Sequence, residues 1–266
     1  SIAGDERSLD GTRRRELAGF HARHYVSGST VVVAAGDIRH RDLLDLAKRL
    51  ARRVPAGSRS SWFPAVNGQV RPEVRLFTRD MEQTQFALGI RTCSRHDPRR
   101  FALRLANVIL GENMSSRLFQ SIREEHGLAY SICSTPNFYH DTGSLTIAAG
   151  LDTAHTQKAL KLTVVELRCL REKPPGAAEL RRARDYLIGQ LELSLENTES
   201  QMNWIGEQLL GFDKIIPPDE IKTRLHEIRP GDIRRVANDF FQPERLCLSL
   251  VSPLKNERGL RKLLEI

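Results

Sequence analysis

The hydrophobic pattern opens with Leu17, Phe20 and His24, which recur at helical spacing between Thr12 and Tyr25, and Ser27-Gly28-Ser29 then stops the segment. Thr30-Val-Val-Val-Ala-Ala35, a short apolar β-branched run closed by Gly36-Asp37, predicts a buried strand. Leu43, Leu44, Ala47 and Leu50 mark an amphipathic helix after it, which completes a helix–strand–helix unit over residues 1–55. Such a unit buries too little surface to stand as a domain and is expected to be the tail of one. Residues 56–72, rich in Pro, Gly and Ser and without a period, read as a linker.

Residues 73–266 carry a longer pattern. Val74–Phe77 and Thr84–Ile90 alternate or run apolar as strands, and a helix begins near Asp97-Pro98, a fair cap followed by proline at the first turn. Gly111 ends that helix, and a second runs from Ser115 to Glu125 before Gly127, a plausible C-terminal cap. Leu128–Ser134 and Gly143–Gly150 predict a hairpin joined by Thr135–Thr142. Helices are expected from His155 to Glu172, Ala177 to Ser194, Glu199 to Leu210, Asp219 to Glu227 and Pro230 to Phe240, then a strand at Leu246–Val251 and a short terminal helix. Strands adjacent in sequence and helices gathered in runs predict an α+β fold with helices packed on a mainly antiparallel sheet.

Composition narrows the function. The 266 residues are 40% hydrophobic and 28% charged, with no apolar run long enough to span a bilayer, so no membrane span is expected. The net charge of +8 invites a nucleic-acid reading, but aromatics are only 6% and basic residues alternate with acids along helices, as in Glu179–Asp185. No nucleic-acid partner is expected. Cys93, Cys133, Cys169 and Cys247 form no Cys-x-x-Cys pair, and the last three lie within apolar patterns, so they are expected to be buried small apolar residues. The chain opens on Ser-Ile-Ala-Gly-Asp-Glu-Arg with no initiator Met, which suggests a fragment or processed chain. The compartment, cytoplasmic or periplasmic, stays open.

The densest signal is Leu105–Gly150, with Ser115-Ser-Arg-Leu-Phe119, Ile122-Arg-Glu124, Gly127-Leu-Ala-Tyr130 and Asp141-Thr-Gly143 in that order. This string resembles the C-terminal, non-zinc half of inverted-zincin metallopeptidases, the pitrilysin, insulinase and mitochondrial processing peptidase-like family. Residues 12–37, ending in Val-Val-Ala-Ala-Gly-Asp37, resemble the last part of that family's N-terminal half. On this resemblance 1–55 is a remnant of the zinc-type half, 56–72 a linker, and 73–266 the C-terminal peptidase-like domain.

The resemblance implies a clam-shell of two homologous halves, one holding zinc through His-x-x-Glu-His plus a later Glu, the other contributing an Arg and a Tyr. None of the eight histidines forms that motif or the ordinary His-Glu-x-x-His, so no metal or cofactor site is expected in this chain, and the zinc site would lie upstream of Ser1 or on a partner. Arg123 and Tyr130, seven residues apart, match the family's substrate-contacting pair. They are expected to project from a helix end and the next strand toward one cleft, both partly accessible. The bland alternative is an ion pair of Arg123 with Glu124 or Asp141 and a Tyr packed at a strand start. Gly111-Glu112-Asn113-Met114 departs from the family's more glycine-rich loop, which puts the loop's flexibility in doubt. His21 and His24 lack a third ligand and are expected to pack on the following strand, and His126 to belong to a helix C-terminal charge cluster with Glu124 and Glu125.

Two functions follow. One is a component of a zinc metalloendopeptidase, a hydrolase that binds a peptide substrate and works only with a zinc-bearing half or partner subunit. The other is a non-catalytic structural subunit of a peptidase-like assembly. Self-association through exposed apolar surface of the first unit is expected in either case.

Overall fold

The structure, a computed structural model, describes residues 4–265. The helices are α1 (Glu6–Gly11), α2 (Arg14–His24), α3 (His40–Ala51), α4 (Arg100–Asn107), α5 (Thr156–Glu172), α6 (Ala177–Glu196), α7 (Thr198–Phe212), α8 (Pro218–Glu227) and α9 (Pro230–Phe240). The strands are β1 (Glu73–Thr78), β2 (Gln83–Thr92), β3 (Ala129–Phe138), β4 (Gly143–Asp152) and β5 (Leu246–Ser252). The chain divides into two compact units, one reaching to Pro64 together with Ser194–Ile215, the other comprising Ala65–Leu193 and the chain from Ile216 onward.

The second unit is built on a five-stranded sheet in the order β1-β5-β2-β4-β3. β1 runs parallel to β5, and every other pair is antiparallel. Period-two alternation explains the central strands: Phe86, Leu88 and Ile90 of β2 are buried while Gln83 and Gln85 are exposed, and Leu145, Ile147 and Ala149 of β4 point to the same covered side. α4, α5 and α9 bring Leu103, Leu105, Leu160, Leu167, Ile233 and Val236 into one continuous core with those strand residues. Burial of each such side chain contributes about 1.5–3 kcal/mol. Two buried polar residues inside this core are satisfied by one another, since Thr84 Oγ1 lies 2.6 Å from Ser252 Oγ and 3.0 Å from Thr153 Oγ1.

The opposite face of the sheet carries small and polar residues together with the exposed, paired Phe77 and Val251. It includes Cys133, which is exposed, and Cys247, which like Cys169 is half-buried, so of the four cysteines expected to be buried only Cys93 is, and the three within apolar patterns are not. The alternation of β3 supplies the reason: Ile132 and Ser134 take the covered side, which turns Cys133 outward. Burial pushes the Cys93 thiol up to about 11, with the Asp97 carboxylate adding to it.

The first unit is different in kind. α1, α2 and α3 contain no buried residue, and among its described residues only Val26, Gly206 and Gly211 are buried. The predicted strand Thr30–Ala35 does not form: the segment pairs with no strand, and Val31 and Val32 are exposed. A β-branched run needs a neighbouring ladder to satisfy its backbone, and the described residues offer it none. Without that strand His21 and His24 have nothing of the kind to pack on. His24 Nδ1 instead contacts Ser60 Oγ at 2.9 Å, and His21 stacks on Tyr25. Residues 55–70 carry neither helix nor strand, and the predicted terminal helix reduces to a short 3-10 turn at Arg261–Leu264.

Candidate functional site

The site is assembled by a loop, a widened helix and the strand that follows. The α4 helix runs on into a π-type turn at Val108–Glu112, and the loop Asn113–Ser116 then leads into a helical segment whose stretch Phe119–Glu125 is also π-type. Such widened turns are uncommon and favour functional positions. Leu118 and Ile122 are fully buried and seat the segment on the core. The loop itself is held. Asn113 Oδ1 accepts from the Ser115 amide at 2.9 Å, and Gln120 donates to the Met114 carbonyl at 2.7 Å.

Two forked ion pairs bracket this loop. On one side Arg104 donates to both carboxylate oxygens of Glu112 at 2.8 and 2.9 Å, and Asn107 adds a further donor. On the other, Arg117 donates to both oxygens of Glu179 at 2.8 Å each, with Glu166 at 3.9 Å. Burial penalises the Glu179 carboxylate, but the Arg117 hydrogen bond and charge outweigh it and hold the group below the usual carboxylate range. Glu166 lacks that close contact, and burial leaves it raised. Neither fork was legible in the sequence, because partners eight and 62 positions apart follow no helical spacing. A cleft of about 290 Å³ opens between the loop and α6, with Met114 and Ser115 on one wall and Arg182 and Tyr186 on the other.

Gly127 turns the chain from helix to strand. Its φ of +59° is a left-handed conformation that suits glycine, and the amides of Gly127 and Leu128 close back onto the carbonyls of Arg123 and Ile122. β3 then begins with an irregularity: Ala129 pairs with Leu151 and Ser131 with Gly150, so Tyr130 is an extra residue, bulged out of the ladder. A bulge re-aims its side chain. Tyr130 is 82% exposed. Gly143, last residue of the Asp-x-Gly string, allows close approach, since a Cβ there would overlap the Cys93 carbonyl oxygen and stand 2.9 Å from that of Asn137. Asp141 accepts from the Ala65 amide at 2.7 Å, which occupies it away from Arg123.

The two residues singled out by spacing lie side by side. The guanidinium carbon of Arg123 is 5.8 Å from the centre of the Tyr130 ring and 4.7 Å from that of Phe119. The Arg123 side chain is 41% exposed, and its Nε is 3.7 Å from a carboxylate oxygen of Glu124, an ion pair too open to hold it firmly. His126 Nδ1 contacts the Ser121 carbonyl at 2.8 Å rather than the neighbouring glutamates. Among the described residues no group of three or more His, Cys, Asp or Glu side chains could hold a metal ion. Among them too, no helix is long and apolar enough to cross a membrane.

Residues 13–187 match the family described as the peptidase M16 inactive domain. The chain belongs to that family. It is 31% identical over 265 residues to an uncharacterized zinc protease of Mycobacterium tuberculosis, covering 97% of this chain and 60% of that protein. It is 33% identical over 248 residues to an uncharacterized zinc protease of Streptomyces coelicolor, covering 91% and 54%. The fold matches a crystal structure of a peptidase M16 inactive domain from Pseudomonas fluorescens with a TM-score of 0.85 at 21% identity, covering 94% of this chain and 60% of that one. The chain therefore spans about three fifths of the length of the relatives it matches.

Proposed function

We infer that this chain forms the substrate-cleft half of a zinc metalloendopeptidase, with Arg123 and Tyr130 contacting the peptide and the metal supplied by a zinc-bearing half in the same polypeptide or a partner subunit. The observation that carries this reading is the pair itself: a bulged tyrosine and a helix-end arginine, both exposed and 5.8 Å apart, in a chain of this family. Peptide hydrolysis develops negative charge on the scissile carbonyl oxygen, and a preorganised donor there lowers the barrier. The Tyr130 hydroxyl is suited to that role. The Arg123 fork is suited to a main-chain carbonyl or carboxylate of the substrate, a contact made in the ground state as well. The chain alone is inactive on this reading, because its described residues offer no cluster that could hold a metal ion.

In the complete zinc-loaded assembly, Tyr130→Phe lowers kcat by roughly 10²-fold or more with little change in KM, as expected for a donor used mainly in the transition state. Arg123→Ala weakens binding as well. Wild-type turnover in both variants would overturn the reading and leave a structural subunit in its place. Elemental analysis of the purified chain adds an independent check, since one zinc per chain surviving brief chelation would contradict a metal held elsewhere.

A further inference from the structure

The Ser115-Ser-Arg-Leu-Phe119 run has no part in the chemistry above, yet its last residue, Phe119, lies against Arg123. Leu118 is buried as a packing anchor, and the residues on either side of it make the polar and aromatic contacts. Arg117 grips Glu179 of α6 through two donors, with Glu166 of α5 beside it. A cation near a helix N-terminus opposes the helix dipole, so nothing local favours an arginine there, and the compensation comes from carboxylates on two other helices. Phe119 stands four residues before Arg123 in the widened turn and presents its ring 4.7 Å from the guanidinium carbon, with the Tyr130 ring at 5.8 Å. A ring face attracts the cation without consuming any of its N–H donors. The guanidinium is thereby located while its hydrogen-bonding fork stays available to a ligand.

We propose that Arg117 and Phe119 are the positioning residues of the Arg123–Tyr130 pair, Arg117 fixing the helix that carries Arg123 and Phe119 holding the guanidinium beside Tyr130. This rests on reading Arg123 and Tyr130 as substrate contacts. The effect falls on binding, because Arg123 is the ground-state contact of the two.

The test uses the complete zinc-loaded assembly and a peptide it cleaves. Phe119→Leu keeps an apolar side chain and removes the ring, and raises KM about fivefold with kcat within about twofold, the loss expected for one exposed cation–ring contact. Phe119→Tyr restores wild-type KM. Arg117→Lys, which cannot span both oxygens of Glu179, shifts KM in the same direction. An unchanged KM in Phe119→Leu overturns the proposal, as does equal damage from Phe119→Leu and Phe119→Tyr, which would mark a packing role. If Phe119→Leu does not fold, Phe119→Met is read in the same way. Damage in Arg123→Ala with a silent Phe119→Leu sinks the positioning role alone, whereas a silent Arg123→Ala and Tyr130→Phe sink the site and the positioning role together.

Discussion

The two units use similar helices to opposite effect. In the second, α4 and α9 each bury a full face against the sheet, with Leu103, Leu105, Ile233 and Val236 at 2% exposure or less. In the first, Leu50 of α3 is 53% exposed although it lies on an apolar stripe of comparable design, and Leu17 of the weakly amphipathic α2 is 61% exposed. The difference is the sheet. An amphipathic stripe records a demand for a partner, and only a ladder of paired strands answers it here; the β-branched run 30–35 finds no ladder and remains unpaired.

Measurements of graded size break or sharpen this contrast. The largest effect is expected at Ile147, fully buried at the centre of the second unit. Ile147→Ala should cost about 2–5 kcal/mol in denaturant unfolding, and a loss under 1 kcal/mol would mean that the core is less continuous than the packing indicates.

Next comes Glu179→Gln, which leaves the partly buried Arg117 without its forked partner and should cost about 2 kcal/mol at neutral pH. The sign with pH is set by the lowered Glu179 carboxyl. In the range below its ordinary value of 4.5 the unfolded chain binds more protons than the folded one, so the wild-type advantage is present above that range and fades as pH falls through the folded-state value. Glu166, raised by burial, works in reverse, so Glu166→Gln should be neutral or stabilising near pH 7. A deficit in Glu179→Gln that stays constant down to strongly acid pH would remove the ion pair from the account.

Gly127→Ala places a Cβ in a left-handed conformation and should cost about 1–2 kcal/mol, read from the shift in unfolding midpoint. The smallest effect belongs to the first unit, where Leu17→Ala should change stability by less than about 0.5 kcal/mol. Its exposed apolar residues should show in association instead. Val32→Lys is expected to reduce self-association of the isolated chain on a calibrated sizing column, and a wild type that is strictly monomeric at tens of micromolar would remove that expectation.

Legibility in the sequence followed the range of the interactions. Period and caps located α5, α9, β2 and β5 to within a residue or two, because their signals are local and their burial is one-sided. The widened turns at Val108–Glu112 and Phe119–Glu125 were not legible, since a π-type turn alters hydrogen bonding without altering the apolar spacing by more than one position. The outward turn of Cys133 and the unpaired state of 30–35 depend on which face and which neighbour a strand acquires, and neither is written in its own residues. At the site, spacing and resemblance singled out Arg123 and Tyr130, but not Phe119 between α4 and β3, nor the Arg117–Glu179 fork that spans 62 positions. The interruption of β3 at Tyr130 was equally hidden.

That interruption has a consequence for how folding and chemistry divide the strand between them. Because Ala129 faces Leu151 and Ser131 faces Gly150, excising Tyr130 would join two residues already in consecutive register, and every pair from Ser131 to Phe138 would keep its place. The inward and outward sequence of side chains would also become regular, with Ala129 inward, Ser131 outward and Ile132 inward. Tyr130 is a supernumerary position that the sheet neither counts nor needs, so its side chain can be exchanged while the ladder beneath it is left as it is.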